Sequence, residues 1–93
     1  MRNNALKVHE NDNVAVAIRD IKKGSAVILN GEQLFDAAED IPSGHKVALT
    51  AISRGEKVIR YGEPIVEATR DIAQGEWVHV HNTQPVPGGY QEK

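Results

Sequence analysis

The sequence predicts a small, mainly β domain with little helix. Its 93 residues are enough for one domain and too few for two. Hydrophobic residues make up 40% of the chain but aromatic residues only 4%, so valine, isoleucine, leucine and alanine must build the core. This aliphatic, partly β-branched mixture favours strands. Short strand-like segments separated by glycine-containing turns recur along the chain, as expected for a β domain.

The most informative pattern is an internal repeat. When the sequence is shifted by 31 positions, residues 21–49 align with residues 52–80 without a gap, and 11 of the 29 aligned pairs are identical. The motif Ile-x-x-Gly-x-x-Val starts at four positions, namely Ile21, Ile41, Ile52 and Ile72. Each motif predicts an apolar anchor, a turn closed by glycine at positive φ, and a strand. Two units are too few for a solenoid, so we expect them to pack on each other about a pseudo-two-fold axis.

Local patterns predict the individual elements. Four short β-branched segments are predicted as strands: Val14–Ile18, Lys46–Leu49, Lys57–Arg60 and Trp77–Val80. Asn30-Gly31 is a strong signal for a two-residue hairpin turn, and Tyr61-Gly62 occupies the matching place in the second unit. Residues 32–39 (EQLFDAAE) are predicted to form one or two helical turns. An aspartate precedes three of the four isoleucine anchors, where its side chain can accept hydrogen bonds from turn amides.

The predicted domain covers residues 1–82, and residues 83–93 are predicted to be a flexible tail or linker. This tail contains two prolines and two glycines among polar residues, a composition that is typical of linkers.

Charge and composition exclude several functions. The formal net charge is −2 and the charges are interspersed, so no basic stripe is available for nucleic-acid phosphates. The chain has no cysteine, which excludes disulfides, thiol nucleophiles and thiolate metal sites. Neither an apolar leader nor an apolar run of membrane-spanning length is present in the sequence, so we expect a cytoplasmic protein.

Differences between the two units point to candidate functional residues. Ala48 and Thr50 in the first unit correspond to His79 and His81 in the second. Because residues i and i+2 of a strand share a face, both imidazoles should project beside Trp77. Such a pair can chelate a divalent metal ion or hold an anionic substrate; the alternative is two surface histidines on an edge strand. A complete metal site requires further ligands from elsewhere.

Three other residues are secondary candidates for substrate binding. His45 and Lys46 follow a tight turn, where they can orient a carboxylate or simply begin a solvated strand. Tyr61 lies in the segment Arg60-Tyr-Gly-Glu63, which can equally be a plain hairpin. His9 is either a further ligand donor or part of a loop, and we favour the loop. No catalytic residue is predicted.

Together these segments resemble the N-terminal SAF domain of the altronate and galactarate dehydratase family. The resemblance covers about residues 6–82 and is carried by residues 7–9, 12–17, 41–49, 59–65 and 77–82. The small subunit of sulfolactate sulfo-lyase shares much of the pattern. The final segment, His79-Val-His-Asn82, is more similar to the altronate and sulfolactate branches than to the galactarate branch.

The resemblance implies a SAF-type β-clip fold and lyase chemistry on polyhydroxy acids. It implies a role as the small subunit or N-terminal domain of a hydro-lyase that converts altronate to 2-keto-3-deoxygluconate. It also implies a large catalytic chain as partner and a divalent metal, iron or manganese, as cofactor; a homo-oligomer is possible as well. One alternative is the small subunit of a sulfolactate sulfo-lyase. Another, of a different class, is a non-catalytic SAF module that binds carbohydrate.

Overall fold

The computed structural model describes residues 2–86, and its regular structure is entirely β. Nine strands are present in these residues: β1 (Ala5–Leu6), β2 (Val14–Ala17), β3 (Ala26–Leu29), β4 (Glu32–Asp36), β5 (Lys46–Ala48), β6 (Lys57–Arg60), β7 (Glu63–Ala68), β8 (Trp77–Val78) and β9 (Thr83–Pro85). The mainly β prediction is therefore confirmed. Within the described residues no helix is long and apolar enough to cross a membrane.

A four-stranded antiparallel sheet forms the centre of the molecule, in the order β1-β2-β5-β8. The register places Lys46 opposite Val16 on one side and opposite Val78 on the other. Two hydrophobic clusters contain residues of this sheet. The first includes Val47 and residues of hairpin β3–β4, whereas the second includes Ala48 and residues of hairpin β6–β7. The central sheet thus connects two small cores.

Hairpin β3–β4 and hairpin β6–β7 share one pattern of strand pairing. Each has a register shift at the matching place, between Val27 and Ile28 and between Val58 and Ile59. The turn residue before each glycine has positive φ, 52° for Asn30 and 57° for Tyr61. Both hairpin turns predicted from the sequence are therefore present. The internal duplication itself stays a prediction.

The predicted helical turn in residues 32–39 is wrong. Glu32–Asp36 form strand β4, which pairs with β3 through the Asn30-Gly31 turn. The turn reverses the chain immediately before Glu32, so that the backbone hydrogen-bonding groups of the following residues meet β3 instead of each other. Tertiary pairing thus decides the structure of a segment whose composition permits a helix.

The four isoleucine anchors form two bridges that close the glycine turns. Ile21 pairs with Ile41, and Ile52 pairs with Ile72; all four side chains are at most 2% exposed. The aspartates that precede three of the anchors accept hydrogen bonds from turn amides: Asp20 from Ser43, Asp40 from Lys23 and Asp71 from Arg54. All four motif glycines have φ between 85° and 90°. The predicted role of the motif as anchor and turn is confirmed.

The predicted flexible tail begins too early. Thr83–Pro85 form strand β9, which pairs with the outer edge of β7, and Asn82 just before it is completely buried. Proline and polar residues are compatible with an edge strand, so composition alone gave the wrong boundary. Residues 87–93, the remainder of that tail, lie outside the described residues.

Candidate functional site

Four aromatic rings gather at one end of the central sheet. Trp77 lies at the centre: its ring is stacked on His79 at 5.2 Å, contacts His81 at 5.2 Å and meets His45 edge-on at 5.5 Å between ring centroids. His45 and His79 are 4.8 Å apart. We call His45, Trp77, His79 and His81 the ring cluster. Antiparallel pairing of β5 with β8 produces it, because the residue before β5 and the residue after β8 lie at the same end.

The histidine pair reaches this position through a turn and not through a continuous strand. Strand β8 ends at Val78, so the predicted extension to Val80 is wrong. The amide of Asn82 donates to the carbonyl of His79 at 3.1 Å and closes a tight turn over residues 79–82. Both imidazoles nevertheless contact Trp77, as the sequence predicted, while Val80 between them is 78% exposed.

Buried Asn82 fixes this turn. Its Oδ1 accepts a hydrogen bond from the His79 amide at 3.0 Å, and its Nδ2 donates to the Trp77 carbonyl at 2.8 Å. A buried amide side chain with unsatisfied groups is costly, so these bonds strongly favour one backbone conformation. The Asn82 side chain therefore positions His79 without belonging to the ring cluster itself.

A hydrogen bond determines which nitrogen of neutral His45 carries the proton. Trp77 Nε1 donates to His45 Nδ1 at 3.1 Å. An indole nitrogen can only donate, so Nδ1 must be the acceptor, and the proton of the neutral ring lies on Nε2. His45 thus presents an N–H donor that suits a substrate oxygen. The Trp77 backbone is held as well, because its amide donates to Glu39 Oε2 at 2.9 Å.

The pKa values of two residues in this region, His79 and Lys46, are lowered. Desolvation lowers the pKa of His79, and the neighbouring charges of His45, Lys46 and His81 lower it further. Lys46 is half-buried, and its pKa is also lowered, first by desolvation and then by the charge of Arg60. A lowered pKa favours the neutral form of His79, in which one ring nitrogen donates a hydrogen bond and the other accepts one.

Tyr61 contacts Arg60 and none of the rings of the ring cluster. The Arg60 guanidinium lies 4.9 Å from the centroid of the Tyr61 ring, and Tyr61 itself is 54% exposed. Among the aromatic pairs of residues 2–86, none joins Tyr61 to the ring cluster. The structure therefore brings His45, His79 and His81 together and leaves Tyr61 at the side. Lys46 follows His45 in the chain, and strand alternation puts its side chain on the opposite face of the sheet, the face of Ala48 and Val78.

The loop before β2 supports the Tyr61-Gly62 turn. Asp12 Oδ1 accepts a hydrogen bond from the Gly62 amide at 2.8 Å, and Asp12 Oδ2 accepts one from the His9 amide at 3.1 Å. Burial alone would raise the pKa of Asp12, but the amide donors of Gly62, Tyr61 and His9 hold it below its ordinary value. The His9 ring lies so close to Gly62 that a Cβ there would be 3.0 Å from it. The loop interpretation of His9 fits this contact.

Comparison with known proteins assigns the family. The family model of the altronate/galactarate dehydratase SAF domain matches residues 3–85. The chain belongs to this family. Its SAF domain is 43% identical over 79 residues to an altronate dehydratase of Bacillus subtilis (strain 168) and 47% identical over 79 residues to one of Escherichia coli (strain K12). Each match covers 85% of this chain but only 16% of the relative's length.

The SAF domain accordingly has the β-clip architecture that the sequence resemblance implied, with small antiparallel sheets and no helix in the described residues. It corresponds to a small part of each altronate dehydratase. The larger part of those relatives has no counterpart in this chain.

The donor set of the SAF domain does not complete a metal centre. Residues 2–86 contain no group of three or more histidine, cysteine, aspartate or glutamate side chains arranged to hold a metal ion. In the ring cluster, Nδ1 of His45 is engaged by Trp77, which leaves His79 and His81 as the available imidazoles. Two imidazoles are fewer than the three or four protein ligands of ordinary sites. A metal at this end of the domain requires ligands from another chain or domain.

Two residues of the SAF domain were not among the sequence-based site candidates. Asn82 was assigned to the domain boundary, and no local signal distinguishes a buried turn asparagine from a linker asparagine. Arg60 lies in a segment that the sequence predicts as a plain hairpin, but the residue aligned with it 31 positions earlier is Leu29, and this difference is visible in the sequence.

Proposed function

We propose that this SAF domain works with a large catalytic chain or domain as part of a sugar-acid dehydratase, where it binds and orients the substrate. Membership of the altronate/galactarate dehydratase SAF family supports this role. The observation that carries the proposal is the ring cluster, a partly exposed group of imidazole and indole rings at one end of the sheet whose nitrogens can bind substrate oxygens. Such a group suits an anionic polyhydroxy acid.

The proposed reaction removes water from a 2,3-dihydroxy acid. A base takes the proton from C2, next to the carboxylate, the C3–O bond breaks, and the resulting enol tautomerises to a 2-keto-3-deoxy acid. With altronate the product is 2-keto-3-deoxygluconate. A divalent metal ion, iron or manganese, stabilises negative charge on the substrate when bound. In this proposal the proton-abstracting base belongs to the large chain.

The SAF domain contributes binding and orientation in this scheme. Nε2–H of neutral His45 donates to a substrate oxygen. His79 and His81 either donate to substrate oxygens or supply part of a ligand set that the large chain completes. Tyr61, beside Arg60 and outside the ring cluster, would in this scheme contact only a substrate group that lies near Arg60.

The length of the relatives supports a larger partner chain or domain. The chain spans 16% of each altronate dehydratase that it matches, so most of the length of those proteins has to come from elsewhere. We propose a separately encoded large chain, or a further part of the same polypeptide, with the ring cluster at the contact between the two.

Reconstitution tests the function. The SAF domain and its large partner are mixed, and keto-acid formation is followed with altronate and galactarate, while sulfite release is followed with sulfolactate. We expect altronate turnover by the mixture and little or none by either component alone. Sulfite release with no dehydration would assign the domain to a sulfo-lyase instead. Sugar-acid binding by the SAF domain without any effect on a partner's turnover would favour the non-catalytic carbohydrate-binding module.

A further inference from the structure

Strand β4 has an unpaired outer edge, whereas the matching edge of β7 is covered. In hairpin β6–β7, strand β9 pairs with residues 66–68 of β7. Hairpin β3–β4 has the same strand register with the same register shift, but within residues 2–86 its β4 pairs with β3 alone. A hairpin of this shape therefore accepts a third strand, and one of the two lacks it in the described part of the chain.

Backbone hydrogen bonds show which groups of β4 face away from β3. The Ala37 amide donates to the carbonyl of Ser25, which precedes β3, whereas the Ala38 amide donates to the carbonyl of Gly75 on the other side, both at 2.8 Å. Because peptide groups alternate in direction along a strand, the Asp36 amide faces the same way as the Ala38 amide. Four of the five residues of β4 are exposed, so this outer edge is accessible.

Side-chain contacts also distinguish the two edges. Glu67 of β7 accepts a hydrogen bond from Gln84 of β9 at 2.7 Å and forms an ion pair with Lys57 at 3.8 Å. Asp36 is the matching residue of β4, because it is opposite Ala26 in the register that places Glu67 opposite Lys57. Neither kind of contact is made to the Asp36 carboxylate within the described part of the chain. An added strand can supply the missing donor.

The outer edge of β4 leads directly to the ring cluster. Glu39, which follows β4, accepts a hydrogen bond from the Trp77 amide at 2.9 Å. Phe35 of β4 and Trp77 also pack against the same hydrophobic cluster. A chain that contacts the ring cluster therefore has the edge of β4 within its reach.

We propose that an extended segment of the large catalytic chain adds to the outer edge of β4 as a third strand. The inference rests on the proposed function, which puts the contact between the two chains at the ring cluster. In strand addition of this kind, backbone hydrogen bonds provide affinity and side chains provide specificity. Strand β4 contains Glu32 and Asp36 and no cation. We therefore expect lysine, arginine or glutamine opposite Asp36, in the position that Gln84 takes on β7.

A second copy of this chain fits the edge less well. Antiparallel pairing of two β4 strands about Leu34 would place Glu32 of each copy opposite Asp36 of the other. Like charges directly opposite each other destabilise a strand pair. A segment with hydrogen-bond donors or cations at these places has no such cost.

Hydrogen exchange of the Asp36 amide tests the inference in the complex. In the free SAF domain this amide should exchange rapidly, whereas the Glu67 amide, which faces β9, should be protected. Addition of the large chain should slow exchange at Asp36 at least about tenfold and leave Glu67 unchanged. The two amides have matching places in the two hairpins, so Glu67 is an internal control for effects that are not specific to β4.

Charge substitutions test the expected donor. Asp36→Lys places a cation opposite it and should weaken association with the large chain about tenfold, as measured by calorimetry. Asp36→Asn keeps an acceptor oxygen without the charge and should fall between this variant and the unaltered chain. Glu10→Lys is the control, because it makes the same change of charge at an exposed loop residue; we expect its affinity to stay within about twofold.

Four results overturn the inference. They are the absence of a complex with the large chain, a complex in which Asp36 exchanges as in the free domain, and unaltered affinity of Asp36→Lys. The fourth is slowing at Asp36 that depends on the concentration of the SAF domain alone, which would assign the edge to a second copy.

Failure of the proposed function gives a different outcome. In that case the large chain associates and protects Asp36, but the pair turns over none of altronate, galactarate and sulfolactate. If the pair dehydrates altronate while Asp36 exchanges as in the free domain, the function stands and the strand addition does not.

Discussion

Hairpin β3–β4 and hairpin β6–β7 are held by the same kind of asparagine. Asn4 Oδ1 accepts from the Ile28 amide and its Nδ2 donates to the Ala26 carbonyl, both at 2.8 Å. Asn13 makes the equivalent bonds to Ile59 at 2.8 Å and to Lys57 at 3.0 Å. The residue before each asparagine binds the turn glycine of the same hairpin. The backbones of the two hairpins are thus held by matching sets of side-chain hydrogen bonds.

The two hairpins differ in their charged and exposed side chains. Asn3, Leu29 and Asn30 of the first arrangement correspond to Asp12, Arg60 and Tyr61 of the second. Strand β7 also has β9 on its outer edge, while β4 pairs only with β3 within residues 2–86. The comparison teaches that the same backbone support tolerates different side chains: at the three matched positions, charged residues occur only in the second arrangement.

The largest expected effect is a difference in unfolding free energy between alanine substitutions at two turn glycines of the same motif, Gly75 and Gly44. At Gly75, with φ 90°, an added Cβ would lie 2.8 Å from the Asp36 carbonyl oxygen, whereas at Gly44, with φ 85°, nothing lies within 4 Å. Gly44→Ala should cost about 1 kcal/mol of unfolding free energy, from backbone strain alone. Gly75→Ala should cost at least about 2 kcal/mol more, because the backbone of β4 must also move. Urea denaturation measures both; equal losses would contradict the close approach.

An intermediate effect tests whether the asparagine anchors are equivalent. Asn4→Ala and Asn13→Ala each remove two hydrogen bonds to backbone groups of a hairpin. At about 1 kcal/mol for each bond, we expect each variant to lose about 2 kcal/mol of unfolding free energy. Thermal or urea unfolding of the two variants gives the comparison. If one asparagine is dispensable and the other is not, the hairpins are not supported in the same way.

The smallest of the three effects concerns the one charged anchor. Asp12→Asn places in the second arrangement the residue type that Asn3 provides in the first, and at pH 7 it should lower the unfolding free energy by about 1 kcal/mol. Because amide donors hold the folded-state pKa of Asp12 below its ordinary value of 3.8, the carboxylate stabilises the fold above that value. This contribution is lost as the pH falls through the folded pKa.

The stability curves of the unaltered chain and of Asp12→Asn should therefore approach each other below about pH 4. Asn3→Asp is the control: Asn3 is exposed, so its carboxylate is screened by solvent and should change stability by no more than about 0.5 kcal/mol. Unfolding curves of the unaltered chain and both variants, measured from pH 2 to pH 7, give the pH dependence of each free energy of unfolding. A constant gap between the unaltered chain and Asp12→Asn would show that the Asp12 charge has no part in the difference.

Much of the fold was predictable because its determinants are local and repeated. The Ile-x-x-Gly-x-x-Val motif contains both the turn glycine and the bridging isoleucine, and Asn30-Gly31 fixes a hairpin by its backbone preference. The segment 32–39 was not predictable in this way, since its alternation is weak and only pairing with β3 makes it a strand. Strand β9 is not predictable for the same reason, because within residues 2–86 it pairs only with β7, which lies about 20 residues earlier in the chain.

The site was predictable only in part. The histidine pair and His45 appear as differences between the repeats, and the structure brings all three into contact with Trp77. The turn that positions His79 is held by the buried side chain of Asn82. Burial of this asparagine cannot be predicted from the spacing of polar and apolar residues in the sequence.

The central claim is that one side of the domain carries substrate-binding groups that the fold does not require. The most direct measurement is altronate turnover by the reconstituted pair after His79→Ala and His81→Thr, which introduce the residue types of Ala48 and Thr50. We expect kcat/KM to fall about 100-fold or more, equivalent to at least about 2.7 kcal/mol of transition-state stabilisation, with unfolding free energy within about 1 kcal/mol of the unaltered chain. Unchanged turnover and unchanged altronate binding in this double variant would contradict the claim.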